Sequence, residues 1–352
     1  MAQKDTITEH AQDTVPRERP DRVALITGAT SGIGRATALE FARQGYDVAL
    51  LARRQAELHA IAKECEEQGV RAVIAVADVT DETAVQKAAE MAIRAFGHID
   101  IWVNNAAVSL FAKFETAPSD EYRRVIETNL FGYIHGARTA IKQFKHQGHG
   151  TLINVSSVTA QAPQPYTSAY VASKYAIRGL SASLRMELQL DGLADAIHVT
   201  TVMPASVDTN LFQNAANHTD REVVALEPVY DAGYVAKHIV KLAKHPRREA
   251  IIGPAGKLMA LEYALMPGRY EQKMAAFYDR DHLGEHAEDK TAGNLFAPLI
   301  GNTGVAGGWR DRRIRADQLN KMVGVATAGL VALAGAGLML WRQHRTHPMT
   351  GK

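Results

Sequence analysis

From Arg22 onward the chain alternates two patterns of apolar and polar positions. Short apolar runs, "RVALIT" (22–27), "DVALLA" (47–52), "AVIAVA" (72–77), "IDIWVNN" (99–105), "GTLINVSS" (150–157) and "IHVTTVMP" (197–204), are bounded by turn residues. Such β-rich runs predict strands. Between them lie stretches whose apolar positions recur at helical spacing, among them 34–45, 54–69 and 81–97, which end at Gly45, Gly69 and Gly97. A glycine at that place closes a helix. Strands alternating with helices predict an α/β domain with one doubly wound parallel sheet, covered on both faces. "EAIIGP" (249–254) reads as its last strand, and no internal repeat is visible.

The ends of the chain read differently. Residues 1–20 are polar, without the apolar core of a secretory signal, and predict a disordered lead-in. The α/β domain occupies 21–254, and 255–320, with the Pro/Gly-rich "NLFAPLIGNTGVAGGW", reads as an irregular extension or tether. Met322–Trp341 is a run of 20 residues without a charge, bracketed by Lys321 and Arg342. At helical rise it would span about 30 Å, which predicts a transmembrane helix over 321–342 and a short polar tail over 343–352. The arginines before it place the large domain on the cytoplasmic side of a membrane anchor.

Composition narrows the chemistry. With 46% hydrophobic and 22% charged residues and a formal net charge of +2, the chain gives no reason to expect nucleic acid as a partner. Cys65 is the single cysteine, so neither a disulfide framework nor a thiolate metal cage is available. The 14 histidines are scattered, and their closest groupings, His146/His149 and His344/His347, sit in polar or terminal stretches. No metal site is expected.

The first strand runs directly into Thr27-Gly-Ala-Thr-Ser-Gly-Ile-Gly34 and then a helix. Glycines at 28, 32 and 34 allow a sharp turn and close approach of a pyrophosphate, which the helix N-terminus would meet with amide donors. The spacing T-G-x-x-x-G-x-G resembles that of the short-chain dehydrogenases/reductases, in their short single-domain branch with a Rossmann-type sheet. Five further features fall in order: "NNA" at 104–106, Asn129 in "ETNLFGYIHGA", "NVSS" at 154–157, Tyr170-x-x-x-Lys174, and "MPASVDT" at 203–209. The resemblance extends from about Arg22 to Pro254.

What the resemblance implies is an oxidoreductase acting on CH–OH groups. Tyr170 would be the general acid for the carbonyl oxygen. Lys174 would lower its pKa and hold the nicotinamide ribose, Ser157 would hold the substrate oxygen, and Asn129 would hold a water linking Lys174 to solvent. Cofactor contacts would come from Gly28, Thr30, Ser31, Gly32, Ile33 and Gly34, from Asp78 and Val79 at the adenine, from Asn105 and Ala106, and from Pro204, Val207 and Thr209 near the nicotinamide. Two positions depart from the family: Ala107 stands where "NNAG" has glycine, and Ala205 where "PG" has it. Because alanine resists positive φ, both loops must keep ordinary backbone angles.

An acidic residue at the end of the second strand would favour NAD, whereas arginine would accept the 2′-phosphate of NADP. Asp47 begins that strand and so lies at the wrong end, while its carboxyl end reads Ala52-Arg53-Arg54. Arginine's planar fork suits a phosphate monoester. NADP(H) is therefore expected rather than NAD(H). The substrate pocket is expected to use Ser109, Phe111, Tyr166 and Phe212, which favours an apolar alcohol or ketone, extending to a lipid reached from the membrane. The rival readings are a non-catalytic dinucleotide sensor or scaffold and an epimerase or dehydratase of the same superfamily. By the same resemblance, the chain would be a homodimer or homotetramer.

Overall fold

The structure, a computed structural model, describes residues 22–301 and 303–310 of the chain. The order begins β1 (Val23–Thr27), α1 (Gly32–Arg43), β2 (Asp47–Ala52), α2 (Gln55–Glu66), β3 (Ala72–Val76), α3 (Glu82–Phe96), β4 (Ile101–Asn104) and β5 (Leu110–Phe111). It continues with α4 (Ser119–Ile126), a π-helical turn (Glu127–Phe131), α5 (Gly132–Gln147), β6 (Gly150–Val155), α6 (Ser168–Leu190) and β7 (Ile197–Pro204). Then come β8 (Ala216–Asn217), β9 (Arg221–Val223), α7 (Ala232–Lys244), β10 (Glu249–Ile252), α8 (Pro254–Leu265), α9 (Pro267–Asp281) and β11 (Leu283–Ala287).

Seven strands form the main sheet in the order β10-β7-β6-β4-β1-β2-β3, and every pairing in it is parallel. The apolar runs become its centre because both faces are covered: all residues of β1, β2, β4 and β6 are buried. One face carries Phe41 of α1, Leu58 and Ile61 of α2 and Ile239 of α7. The opposite face carries Val85 and Ala92 of α3, Phe144 of α5 and Leu188 of α6. Local signals set the helix ends. Asp81 accepts from the Ala84 amide to start α3, and Gly97, at φ +87°, closes it. The chain reverses direction across the sheet between β1 and β4, and this crevice at the carboxyl edge is where open α/β sheets bind ligands.

The extension differs from expectation. Within the extension read as irregular from 255 to 320, helices α8 and α9 carry the chain to Asp281, and β11 pairs antiparallel with β9. Tyr270, Met274 and Tyr278 of α9 pack with Ala162, Met259 and Leu226 over the carboxyl edge of the sheet. Beyond β11, residues 288–301 and 303–310 run as a strap across that edge. Among the described residues no helix is long and apolar enough to cross a membrane. The membrane-anchored, cytoplasmic placement expected from the sequence is corrected accordingly. The run 322–341 on which it rested lies outside the described residues, as do the lead-in 1–20 and the tail 343–352, and no described element supplies an anchor.

Candidate active site

The glycine loop is built for close backbone approach. Gly28 has φ +68°, and a Cβ on Gly34 would lie 2.2 Å from the Gly28 carbonyl and 2.4 Å from Asn105 Nδ2. The loop is held from below by β4, where Asn105 Nδ2 donates to the Thr27 carbonyl at 3.0 Å and the Asn105 and Ala106 amides reach Thr27 Oγ1 at 2.9 and 3.1 Å. A cleft above it is lined by Gly28, Thr30, Ser31, Gly32, Ile33, Arg53, Arg54, Asp78, Val79, Asn105, Ala106, Tyr170, Lys174 and Thr209. Gly34 lies behind this wall, supporting the turn. Pro204 and Val207 line a second, adjoining cavity instead.

Along the cleft, Asp78 accepts from the Thr80 amide and hydroxyl at 3.0 Å and pairs with the Arg124 guanidinium. Burial pushes this carboxyl up, but the Thr80 amide and Arg124 outweigh it and hold it below its ordinary value. Arg124 was not foreseen, since its partner lies 46 residues away. Asp47, as its place at the start of β2 implies, is remote from the cleft and buried against the Arg71 amide and Nε, each at 2.7 Å.

Arg53 and Arg54 do stand at the carboxyl end of β2, but the strap engages them. Arg53 donates to the carbonyls of Asn294 (2.6 Å) and Leu295 (3.2 Å), and Arg54 to those of Leu299 (3.5 Å) and Gly301 (3.2 Å) and to Thr30 Oγ1 (3.1 Å). Arg124 Nε donates to the Leu295 carbonyl at 2.9 Å, and the Gly32 amide to Gly304 at 3.1 Å. Each of these donors therefore already holds an oxygen acceptor, the kind of partner that phosphates would also offer. The strap is pinned beyond them by Asp208, which accepts from the Gly307 and Trp309 amides at 2.9 Å, and by the Trp309 indole on the Thr209 carbonyl.

Tyr170 and Lys174 sit one turn apart on the buried face of α6, whose N-terminus β6 delivers to the cleft. Lys174 Nζ lies 5.3 Å from the Tyr170 ring centre and 5.0 Å from that of Tyr133, and donates to the Val155 carbonyl at 3.0 Å. Burial pushes the Tyr170 phenol up to about 12, with the Ser157 hydroxyl pulling the other way, and pushes Lys174 down to about 7. In this arrangement desolvation dominates the phenol, and the Ser157 hydroxyl is the group that opposes it. Ser156 and Ser157 differ in engagement. Both line the second cavity, but Ser156 Oγ donates to the Lys174 carbonyl at 2.9 Å, whereas Ser157 Oγ accepts from the Thr159 amide at 3.2 Å and is hydrogen-bonded to the Tyr170 phenol.

Asn129 lies in the π-helical turn, a feature common at functional sites. Its amide clasps the Val108 backbone, accepting from N and donating to O, both at 2.9 Å, and reaches Ser173 Oγ at 3.3 Å. A buried polar chain behind the site was also missed. Trp102 Nε1 donates to Asn104 Oδ1 at 2.8 Å, Asn104 Nδ2 to Asn154 Oδ1 at 3.0 Å, and Asn154 Nδ2 to Ser181 Oγ at 2.9 Å. It ties β4 and β6 to α6 and so fixes the helix that carries Tyr170 and Lys174.

The second cavity is lined by Ser109, Phe111 and Phe212 together with Tyr170 and Ser157, and by Met259, Met274, Phe277, Tyr278 and His282 from the extension. Tyr166 is the exception and is corrected: held at φ +64°, it turns its hydroxyl to Asp279 and packs behind Phe111 rather than lining the cavity. The non-glycine residues with positive φ among those described are Tyr166 and Asp220, so Ala107 and Ala205 keep ordinary angles. Among the described residues no cluster of three potential metal ligands occurs.

Comparison with known proteins agrees with this architecture. The sequence matches the short chain dehydrogenase family over residues 22–220. The uncharacterized oxidoreductase YxnA of Bacillus subtilis (strain 168) is 33% identical over 324 residues, 90% of each chain. An alcohol dehydrogenase from the archaeon Thermococcus sibiricus, complexed with 5-hydroxy-NADP, is 28% identical with a TM-score of 0.58, over 66% of this chain and 96% of that one. A 3-ketoacyl-ACP reductase from Sinorhizobium meliloti 1021 is 30% identical with a TM-score of 0.59, over 67% and 99%. The glycine loop, the Tyr170/Lys174 pair and the parallel sheet therefore belong together: this chain is an oxidoreductase and a member of the short chain dehydrogenase family.

Proposed function

We propose that the protein interconverts an apolar ketone and its secondary alcohol with NADP(H), Tyr170 exchanging the proton at the substrate oxygen. The observation that carries this reading is that Tyr170 lines both cavities, the glycine-loop cleft and the apolar chamber beside it. Its phenol thus stands where a dinucleotide on one side and a carbonyl on the other would meet. When bound, the dinucleotide supplies or accepts the hydride.

The chain's own groups do the rest. A phenol held at about 12 by burial keeps its proton at neutral pH and is a donor for the carbonyl oxygen as negative charge develops there. Ser157 Oγ, facing the same cavity, donates a second hydrogen bond to that oxygen. Lys174, at about 7, gains or loses a proton near neutrality and returns one to the phenol after turnover. Asn129, clamped on Val108, holds the path by which that proton reaches solvent. In oxidation the same protons move in reverse.

Arg53 and Arg54 would hold the 2′-phosphate, exchanging the strap carbonyls for phosphate oxygens. That the Thermococcus sibiricus relative was solved with an NADP derivative supports this choice. The chamber wall has no lysine or arginine, which disfavours a carboxylate substrate and favours an apolar one. Calorimetric titration of the protein with NADPH and then NADH tests the reading. Tighter binding of NADPH is expected. Preference for NADH would overturn the assignment of Arg53 and Arg54, and binding of neither would overturn the dinucleotide reading itself.

A further inference from the structure

We propose that His282 is a substrate-binding residue whose Nε2 accepts a hydrogen bond from a second hydroxyl of the substrate, remote from the reacting carbonyl. The preferred substrates are then apolar hydroxy-ketones, or the corresponding diols in the oxidative direction. The inference rests on the ketone–alcohol reading above and narrows it.

His282 ends α9 and lines the apolar chamber that Tyr170 and Ser157 also line. It is 4% exposed. The backbone fixes it on both sides: its amide donates to the Tyr278 carbonyl at 3.0 Å and its carbonyl accepts from the Val224 amide at 3.0 Å. The side chain is fixed as well, with Nδ1 on the Val224 carbonyl. A carbonyl oxygen can only accept, so Nδ1 carries the proton. Nε2 of the neutral ring is then a lone-pair acceptor on the other side of the ring. Burial pushes this imidazole down to about 4, so the ring stays neutral at working pH.

Phe111 and Phe212 meet the ring edge-on, with centroids 5.0 and 5.5 Å away, and Tyr278 lies at 6.0 Å. These contacts hold its orientation, and among the described residues Nε2 has no hydrogen-bond partner. Nε2 is not among the sealed unpartnered atoms of the described residues, so it is an acceptor left open to the chamber and to a donor on a ligand. Of the other ionisable groups on the chamber wall, Tyr170 and Tyr278 are held protonated by burial, and Glu227 accepts from the Val229 amide at 3.0 Å. The wall is largely apolar but also carries hydroxyls, among them Ser109, Ser157 and Ser206. These donate as well as accept, whereas Nε2 of the neutral His282 ring only accepts, so it favours a substrate that presents a donor at that place. A site built around such a bond discriminates against the analogue that leaves it unmade.

The test uses methyl ketones of graded chain length, each with and without a terminal hydroxyl, against the full-length protein and its His282→Leu and His282→Gln variants. NADPH-dependent kcat/KM and calorimetric binding of the matching alcohols are both measured. For the chain length that reaches His282, the wild type should prefer the hydroxylated member by roughly tenfold or more, mainly through KM. His282→Leu should lose that preference while still turning over the plain ketone, and His282→Gln, which keeps an acceptor oxygen, should retain part of it. A purely structural role would weaken both members of each pair alike. Absence of any preference in the wild type, or a preference surviving in His282→Leu, would overturn the inference and leave the ketone–alcohol reading intact. If no ketone were reduced but the wild type still bound hydroxylated ligands selectively through His282, the inference would stand and that reading would fall.

Discussion

Lys174 Nζ sits 5.3 Å from the centre of the Tyr170 ring and 3.0 Å from the carbonyl of Val155, sealed at 1% exposure beneath the floor of the cleft. The amine is thus held by dipoles and π faces rather than by a carboxylate, and burial sets its pKa at about 7. The consequence for stability has a definite sign. Between about pH 7 and pH 10 the unfolded chain binds a proton at this lysine that the folded chain does not, so stability rises with pH across that window. Compared with Lys174→Met, the wild type should gain roughly 4 kcal/mol over that range. Urea unfolding of both proteins at several pH values checks this, and parallel pH profiles would contradict it.

His282 predicts a second pH effect, on the acid side. Its folded-state pKa of about 4 lies below the ordinary 6.5, so its contribution is complete above pH 6.5 and is lost as pH falls toward 4. Tyr278 beside it is raised to about 12 and stays neutral throughout. His282→Leu should flatten the acid limb of the unfolding curve by on the order of 2 kcal/mol, as read from melting temperatures across that range. An unchanged limb would contradict the buried neutral imidazole.

Arg53 and Arg54 predict a cofactor-specific loss. Replacing either with alanine should weaken NADPH binding by roughly tenfold, the size of one charge-assisted contact, and leave NADH binding unaltered. Fluorescence titration of both nucleotides with each variant measures the difference. Equal weakening for both would assign these arginines to holding the strap rather than to reading the ribose phosphate.

Two glycines separate packing from function. Gly34→Ala would force a methyl to 2.2 Å from the Gly28 carbonyl, and the loop must shift, which should cost roughly 1–3 kcal/mol and most of the dinucleotide affinity. Gly179, within α6, has nothing within 4 Å of the equivalent position. There alanine should stabilise the protein by about 0.5–1 kcal/mol with affinity unaltered. Thermal melts with and without NADPH read both outcomes.

The legible and illegible parts of this protein divide along physical lines. Continuous apolar runs such as 23–27 and 150–155 could only be strands buried on both faces, and the structure places them so. The glycine loop and the Tyr170/Lys174 spacing were readable because local backbone geometry and one helical turn decide them. Helix α8 was not, because it buries only Gly256 and Ala260 and shows no one-sided apolar stripe. Helix α9 carries its stripe as Tyr270, Met274 and Tyr278, aromatic and polar-looking in sequence. The strap contacts Arg53, Arg54 and Gly32 through its own carbonyls, which no residue type announces. Tyr166 was misplaced for a related reason: it is drawn out of the chamber by Asp279, a residue 113 positions away. The membrane placement rested on the length of an uncharged run and the basic residues around it, which lie outside the described residues apart from Arg310.

Turnover by Tyr170→Phe tests the central claim most directly. The variant removes one hydroxyl from a partly buried ring that faces both cavities, so folding and NADPH affinity should stay near wild type. NADPH-dependent reduction of an apolar methyl ketone should fall by roughly 10²–10⁴-fold, the usual weight of a positioned general acid. A variant that binds NADPH normally but turns over at the wild-type rate would show that Tyr170 does not supply the proton, and the proposed mechanism would be wrong.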